Sequence, residues 1–156
     1  IQYMRSFTLS EDQVNLAYDV AKKIQDSKSY TKTWDVDNIA LGLLGETAYG
    51  LMNNMQINTD VWSDRGDGGA DFPDGADVKT VSYAGSTPQL KMSKLPDDNC
   101  KVEKFVLAVC DIKKKPNQVH LIGEITAKNF RDKASLKQHG NKFWYAVTPE
   151  DLDIIY

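Results

Sequence analysis

Residues 67–80 read DGGADFPDGADVKT. Asp67, Asp71, Asp74 and Asp77, with one amine, Lys79, are separated by little besides glycine, alanine and proline. Carboxylates crowded in this way repel one another. A hard divalent cation, which prefers oxygen ligands, turns that repulsion into a binding site. The middle of the stretch has turn chemistry. Pro73 and Asp74 suit the central positions of a type I turn, and Gly75 supplies the left-handed residue that closes a three-residue hairpin loop. Such a loop sets Phe72 opposite Ala76 and Asp71 opposite Asp77, with the facing Cβ atoms about 4.5–5.5 Å apart. Lys79 lies two residues after Asp77 and points to the same face of the strand, while Val78 points into the core. The expected constellation is two acids and one amine on one face of a hairpin: a metal site with a cation beside the place where a phosphate would bind.

Other elements must hold that hairpin. Asp35 is a candidate N-cap for a helix over 36–53, with Trp34 and Ile39 placed to form a hydrophobic staple. The segment IALGLLGETAYGLM is apolar nearly all round, so this helix is expected to be buried. Gly42, Gly45 and Gly50 each cost about 1 kcal/mol relative to alanine in a helix interior, which points to a close approach by another backbone. Glu46 lies among them, one turn from Gly42 and Gly50. A carboxylate in so apolar a helix needs a partner. Ahead of it, SEDQVNLAYDVAKKIQDSK reads as an amphipathic helix with a Ser10–Gln13 capping box.

Strand patterns follow at INTDVW (57–62), GADF (69–72), ADVKTVSY (76–83) and KFVLAVCDI (104–112), the last apolar enough for a central strand. A turn near Asn117 leads into QVHLIGEIT (118–126), and FWYAV (143–147) is a late strand. KNFRDKASLKQHG reads as a short helix or loop-helix ending near Gly140, and TPEDLDII as a turn and short helix. Helices first and strands after predict an α+β or mixed α/β domain, with a mixed central sheet flanked by helices.

Asp71, a short spacer, then Asp77-Val78-Lys79 resembles the PD-(D/E)XK nuclease motif. The helix bearing Glu46 stands where many members of that superfamily add a third carboxylate. GDGGADF, DVKT, KFVLAVC, VHLIGEIT and FWYAV resemble, in order, segments of small phage and bacterial nuclease-like domains, over roughly residues 36–153. Ala70 rather than proline precedes Asp71, a departure at a position that varies in the superfamily. The resemblance implies a restriction-endonuclease-like core, DNA as partner, and Mg²⁺- or Mn²⁺-dependent hydrolysis of phosphodiester bonds. It implies Glu46, Asp71, Asp77 and Lys79 as catalytic residues. The metal ligands would be Asp71, Asp77 and the backbone carbonyl of Val78, with Glu46 a direct or water-mediated ligand. Lys79 would orient the attacking water and offset phosphate charge. Homodimers, common in that superfamily, are compatible with it. Two other classes stay open: a catalytically inactive DNA-binding or protein-interaction domain of the same fold, and a metal-binding structural module.

Composition agrees with a globular chain. Of 156 residues, 41% are hydrophobic and 26% charged, which is ordinary for one folded domain. The expected division is a single domain over 1–156, with an accessory helix in 1–33 and the core in 34–156. No apolar run approaches the roughly 18 residues that would span a membrane, and no secretory signal is visible. Cys100 and Cys110 are too few for a disulfide framework, which favours an intracellular setting; the resemblance implies the cytoplasm of a bacterium or a phage-infected cell. The net charge of −3 hides an asymmetry: residues 1–85 hold 7 Lys/Arg against 13 Asp/Glu, and residues 86–142 hold 12 against 6. A basic half offers an electrostatic footprint for nucleic acid, although solvated lysines are the commoner reading. Asp64, Asp67 and Asp74 read as turn residues, with Asp67 the reserve ligand. RGD at 65–67 reads as a chance tripeptide. His120 and His139 read as structural, the Lys113–Lys115 run as a hairpin tip, and Trp144 and Tyr145 as core rather than base-stacking residues.

Overall fold

In the computed structural model, residues 4–27, 35–57, 70–83 and 85–155 are described. The Trp34 staple, nearly all of the 57–62 strand, Asp64, Asp67 and the RGD tripeptide lie outside these residues. The buried helix is α2, Val36–Asn53, and the carboxylate of Asp35 caps it by accepting from the N–H of Asn38 at 2.9 Å. Helix α1, Glu11–Asp26, begins with the expected reciprocal capping box between Ser10 and Gln13. Its Ala17, Val20, Ala21 and Ile24 share one hydrophobic cluster with Ala40, Leu41, Leu43, Leu44, Ala48 and Tyr49 of α2.

Both helices lie on one face of a four-stranded mixed sheet. Its strands are β1 (Arg5–Thr8), β2 (Ala76–Ser82), β4 (Lys104–Cys110) and β5 (Gln118–Thr126), in the order β1-β5-β4-β2. β2 runs parallel to β4, and the other pairings are antiparallel. β4 is central and its residues from Phe105 to Cys110 are all buried, as its unbroken apolar sequence predicts. The opposite face carries a second sheet, β3 (Leu90–Met92), β7 (Lys142–Val147) and β6 (Ser135–His139), in the order β3-β7-β6. Helix α3, Ala127–Lys133, joins it through Phe130, whose ring lies 5.9 Å from that of Phe105. The fold is mixed α+β. No helix among the described residues is long and apolar enough to cross a membrane.

Alternation along β4 separates the two layers. Val106, Ala108 and Cys110 face the helices, while Phe105, Leu107 and Val109 face the second sheet. β5 changes frame part-way. Leu107 pairs with Gly123 but Ala108 pairs with Leu121, so Ile122 is an extra residue. Val119 and Leu121 therefore feed the helix side, and Ile122 and Ile125 the other.

Three expectations need correction. Residues 70–72 form no strand; they enter a tight turn instead. The short helix expected in 128–140 is present as α3, but it ends at Lys133, and Ser135–His139 forms a strand paired with β7 around Gly140. Every residue of β6 is exposed, so the alternation that marks a half-buried strand is missing from its sequence. Of the three glycines, Gly45 answers to close approach by the sheet. A β carbon there would overlap the Thr80 side chain on β2, whereas one at Gly42 meets nothing and one at Gly50 meets the Met55 carbonyl just past the helix.

Thr80 Oγ1 is buried at this contact with no hydrogen-bond partner among the described residues. Gly45→Ala is expected to destabilise by about 1–3 kcal/mol despite alanine's better helix propensity, because the contact has no room. Thr80→Val keeps the shape and removes an unsatisfied hydroxyl, so it should be neutral or stabilising by about 1 kcal/mol. Urea denaturation of both variants checks this pair of opposite signs.

Candidate active site at the edge of β2

The turn at 72–75 is built as its residues dictate. Gly75 takes φ +85°, and its N–H donates to the Phe72 carbonyl at 3.0 Å. Asp74 accepts from the N–H of Ala76 at 3.0 Å and from the hydroxyl of Tyr49 at 2.6 Å, which fits its reading as a turn residue. The Gly75 carbonyl accepts from the N–H groups of Glu103 at 2.8 Å and Lys104 at 3.3 Å, tying the turn to the start of β4.

The three-residue loop closes as expected, with Phe72 opposite Ala76, but no ladder continues from it to an Asp71–Asp77 pair. The N–H groups of Asp71 and Phe72 both donate to the Ala76 carbonyl, at 2.9 and 3.2 Å. The Asp71 carboxyl group instead accepts from the N–H of Val78 at 2.8 Å. A side chain thus takes the place of a neighbouring strand along the edge of β2. In an extended strand the N–H and C=O of one residue face the same edge, so the Val78 carbonyl opens on the side where Asp71 stands. Its side chain points into the helix-side core, as expected.

Asp77 and Lys79 pair with Phe105 and Leu107, so they share the face turned toward the second sheet. Lys79 Nζ lies 3.0 Å from Asp77 Oδ2; the lysine side chain is 45% exposed and the aspartate 14%. Glu46 comes from the opposite side, on α2, with only 8% of its surface exposed. Asp71 sits where these approaches meet. Burial, the charge of Glu46, and the hydrogen bond and charge of Asp77 push its carboxyl up to about 9, against a smaller opposing effect of the Val78 N–H. The fold therefore brings all four sequence-predicted residues around one strand edge, with the Asp71 carboxyl group held protonated by burial and by its acidic neighbours.

A second chain of polar groups flanks the cluster. Lys104 Nζ pairs with Glu124 at 2.9 Å and lies 5.8 Å from the centroid of the Tyr49 ring. Burial opposes the lysine's charge, but its hydrogen bonds to Glu124 and Tyr49 prevail and hold its pKa above the ordinary value. Burial, then the bond to Asp74, pushes the Tyr49 hydroxyl up to about 12. Sequence reasoning did not find this network. Its one available signal was a tyrosine one turn from Glu46 in an otherwise apolar helix.

Three carboxylates and an edge carbonyl are oxygen donors of the kind a hard divalent cation takes, and such a cation would displace the proton from Asp71. With the side chains as they stand, no three His, Cys, Asp or Glu among the described residues converge on one metal position. Cys100 and Cys110 are both free, and burial raises the Cys110 thiol to about 11. His120 Nδ1 lies 2.8 Å from Ser6 Oγ across the β1–β5 pair, a structural role. Comparison with family models, curated proteins and solved structures finds no match.

The raised Asp71 group has a pH signature. Unfolded, it ionises near about 3.9; folded, it keeps its proton up to about 9. Between those values the native state binds more protons than the unfolded chain, so this group's contribution falls as pH rises. Asp71→Asn, measured in a chelator, should match the wild type near about pH 4, grow progressively more stable than it with rising pH, and level off above about pH 9. Melting temperatures of the two proteins across that range check the sign.

Proposed function

We propose that the chain is a divalent-metal-dependent endonuclease that hydrolyses DNA phosphodiester bonds, with a PD-(D/E)XK type of site. The observation that carries this reading is the crowding of Glu46, Asp71 and Asp77 around one strand edge, with the partly exposed Lys79 ammonium beside them. Structural carboxylates are usually dispersed or paired with bases. Here three act on one another, and the one amine beside them, Lys79, pairs with Asp77 at 3.0 Å.

Asp71, Asp77 and the Val78 carbonyl would hold Mg²⁺ or Mn²⁺, with Glu46 binding it directly or through water. When bound, the metal acidifies a water molecule and stabilises charge developing on the phosphate. Lys79, held by Asp77, is placed to offset charge on the incoming phosphate and to orient the attacking water. Glu46 raises the negative potential around Asp71, which favours exchange of its proton for a cation. The Tyr49–Asp74 hydrogen bond steadies the turn that carries Asp71. A second reading, a DNA-binding domain of the same architecture without catalysis, is favoured by the lack of convergence of three acids as their side chains stand.

Asp77→Ala and Lys79→Ala should each lower plasmid cleavage in Mg²⁺ by at least about 100-fold with the melting curve intact, and Glu46→Gln should lose most activity. Full cleavage by Asp77→Ala or Lys79→Ala would refute the assignment. Metal binding is read separately. Mg²⁺ or Mn²⁺ at 100 times its Kd should stabilise the wild type by about 2.7 kcal/mol, a rise of roughly 5–10 °C in Tm. Asp77→Asn should abolish most of that rise.

A further inference from the structure

The face of β2 that carries Asp77 and Lys79 continues past the acidic cluster. Val81 follows Lys79 by two residues, about 7 Å along the strand, and then comes Tyr83, which is 61% exposed. Both line a cavity of about 880 Å³ between the C-terminal end of β2 and the second sheet. Val109 and Ile122 form its apolar floor, and Lys91, Lys115 and His120 bring basic groups to it, with Asp111 the one acid.

Lys91 connects this cavity to a second feature. It pairs with Ala146 in the β3–β7 ladder. Alternation then puts it on the same face as Trp144, Lys142, Lys137 and His139, because Lys137 pairs with Trp144 and His139 with Lys142. The ammonium of Lys91 lies 5.4 Å from the centroid of the Trp144 ring. Lys91, Lys137, His139 and Lys142 are all exposed. A row of cations interleaved with an aromatic ring thus leads to a cavity with an exposed tyrosine at its mouth and ends two residues from Lys79.

We propose that this surface binds a single-stranded segment of nucleic acid, with one unpaired base in the cavity against Tyr83 and the adjoining phosphates on Lys91, Lys137 and Lys142. The inference rests on the nuclease reading for its substrate and narrows it to DNA with an unpaired stretch beside the cut. A duplex keeps its base faces stacked inside, so neither the cavity nor the tyrosine has anything to take from it. An unpaired base offers a π-face to Tyr83 and an apolar edge to Val109 and Ile122. Single-strand backbones are commonly tracked by cationic grooves with aromatic platforms.

The test is fluorescence anisotropy of the full chain in EDTA, with a labelled oligodeoxythymidine of about 20 nucleotides and a duplex of the same length. The wild type should bind the single strand at least about tenfold more tightly than the duplex. Tyr83→Ala should weaken single-strand binding about tenfold, in keeping with loss of one stacked base. Lys137→Ala with Lys142→Ala should lower the slope of log K against log salt by about 1.4, at about 0.7 per phosphate contact on a single strand. These side chains are exposed, and melting curves verify that the variants fold. Equal or tighter duplex binding, wild-type affinity in both variants, or no binding to either oligonucleotide would overturn the proposal. Cleavage in Mg²⁺ is scored separately. Single-strand binding without cleavage would sink the nuclease reading and leave this surface standing. Cleavage with unaffected variants would do the reverse.

Discussion

Helix α2 lies as deep against β2 as it does because residue 45 has no side chain. The Thr80 hydroxyl occupies the space that a β carbon would need, and the next residue along the helix is Glu46. The depth of that contact decides how far a buried carboxylate reaches toward the strand edge. It also decides how strongly its charge acts on Asp71, since charges in a partly desolvated site interact far more strongly than in water. The apolar wall that α2 presents to β2 and β4 belongs to the same layer, with Leu41, Leu44 and Ala48 in one buried cluster with Val78, Val106 and Ala108. Core packing and the electrostatics of the acidic cluster are therefore set by one steric constraint.

The turn at 72–75 does related work from the other side. Gly75 turns the chain, and Phe72 is buried with its ring 5.1 Å from that of Tyr49. Tyr49 holds Asp74 through its hydroxyl, so a residue of the helix fixes both ends of the turn. Asp71 emerges from this clamp, and its carboxyl group accepts from the N–H of Val78. The carboxyl group is positioned through two buried rings and not by a strand ladder, and among the described residues no strand pairs with that edge of β2.

Much of this was legible in the sequence wherever the local chemistry was decisive. Capping residues fixed the starts of α1 and α2, because side-chain hydrogen bonds to the first turn depend on neighbours only three residues away. The apolar run of β4 announced a central strand, and the spacing of Asp77 and Lys79 placed both on one face. The expected hairpin stops at its closing pair, Phe72 and Ala76, because the Val78 N–H donates to the Asp71 carboxyl group, a bond that depends on a separation through space. The raised Asp71 carboxyl group was illegible for the same reason: the shift arises from burial and from Glu46, far away in sequence. β1, β3 and β6 are short or exposed, and the segments that form them lack the periodicity that would have revealed them.

The extra residue in β5 has a consequence for how this chain can change length. On either side of Ile122, one residue lost or gained would reverse the inward and outward sense of part of the strand, sending Ile125 toward the helices or Leu121 away from them. At Ile122 itself the frames on both sides are already reconciled. A deletion there would leave Leu121 opposite Ala108 and Gly123 opposite Leu107, each still facing its own layer. β5 thus has a joint at which deletion of one residue is compatible with the ladder. That joint lies in the wall of the cavity beside Val81 and Tyr83. Length variation in this strand would reshape the cavity before it disturbed the sheet, so the pocket's dimensions can drift between related chains while the architecture stays fixed.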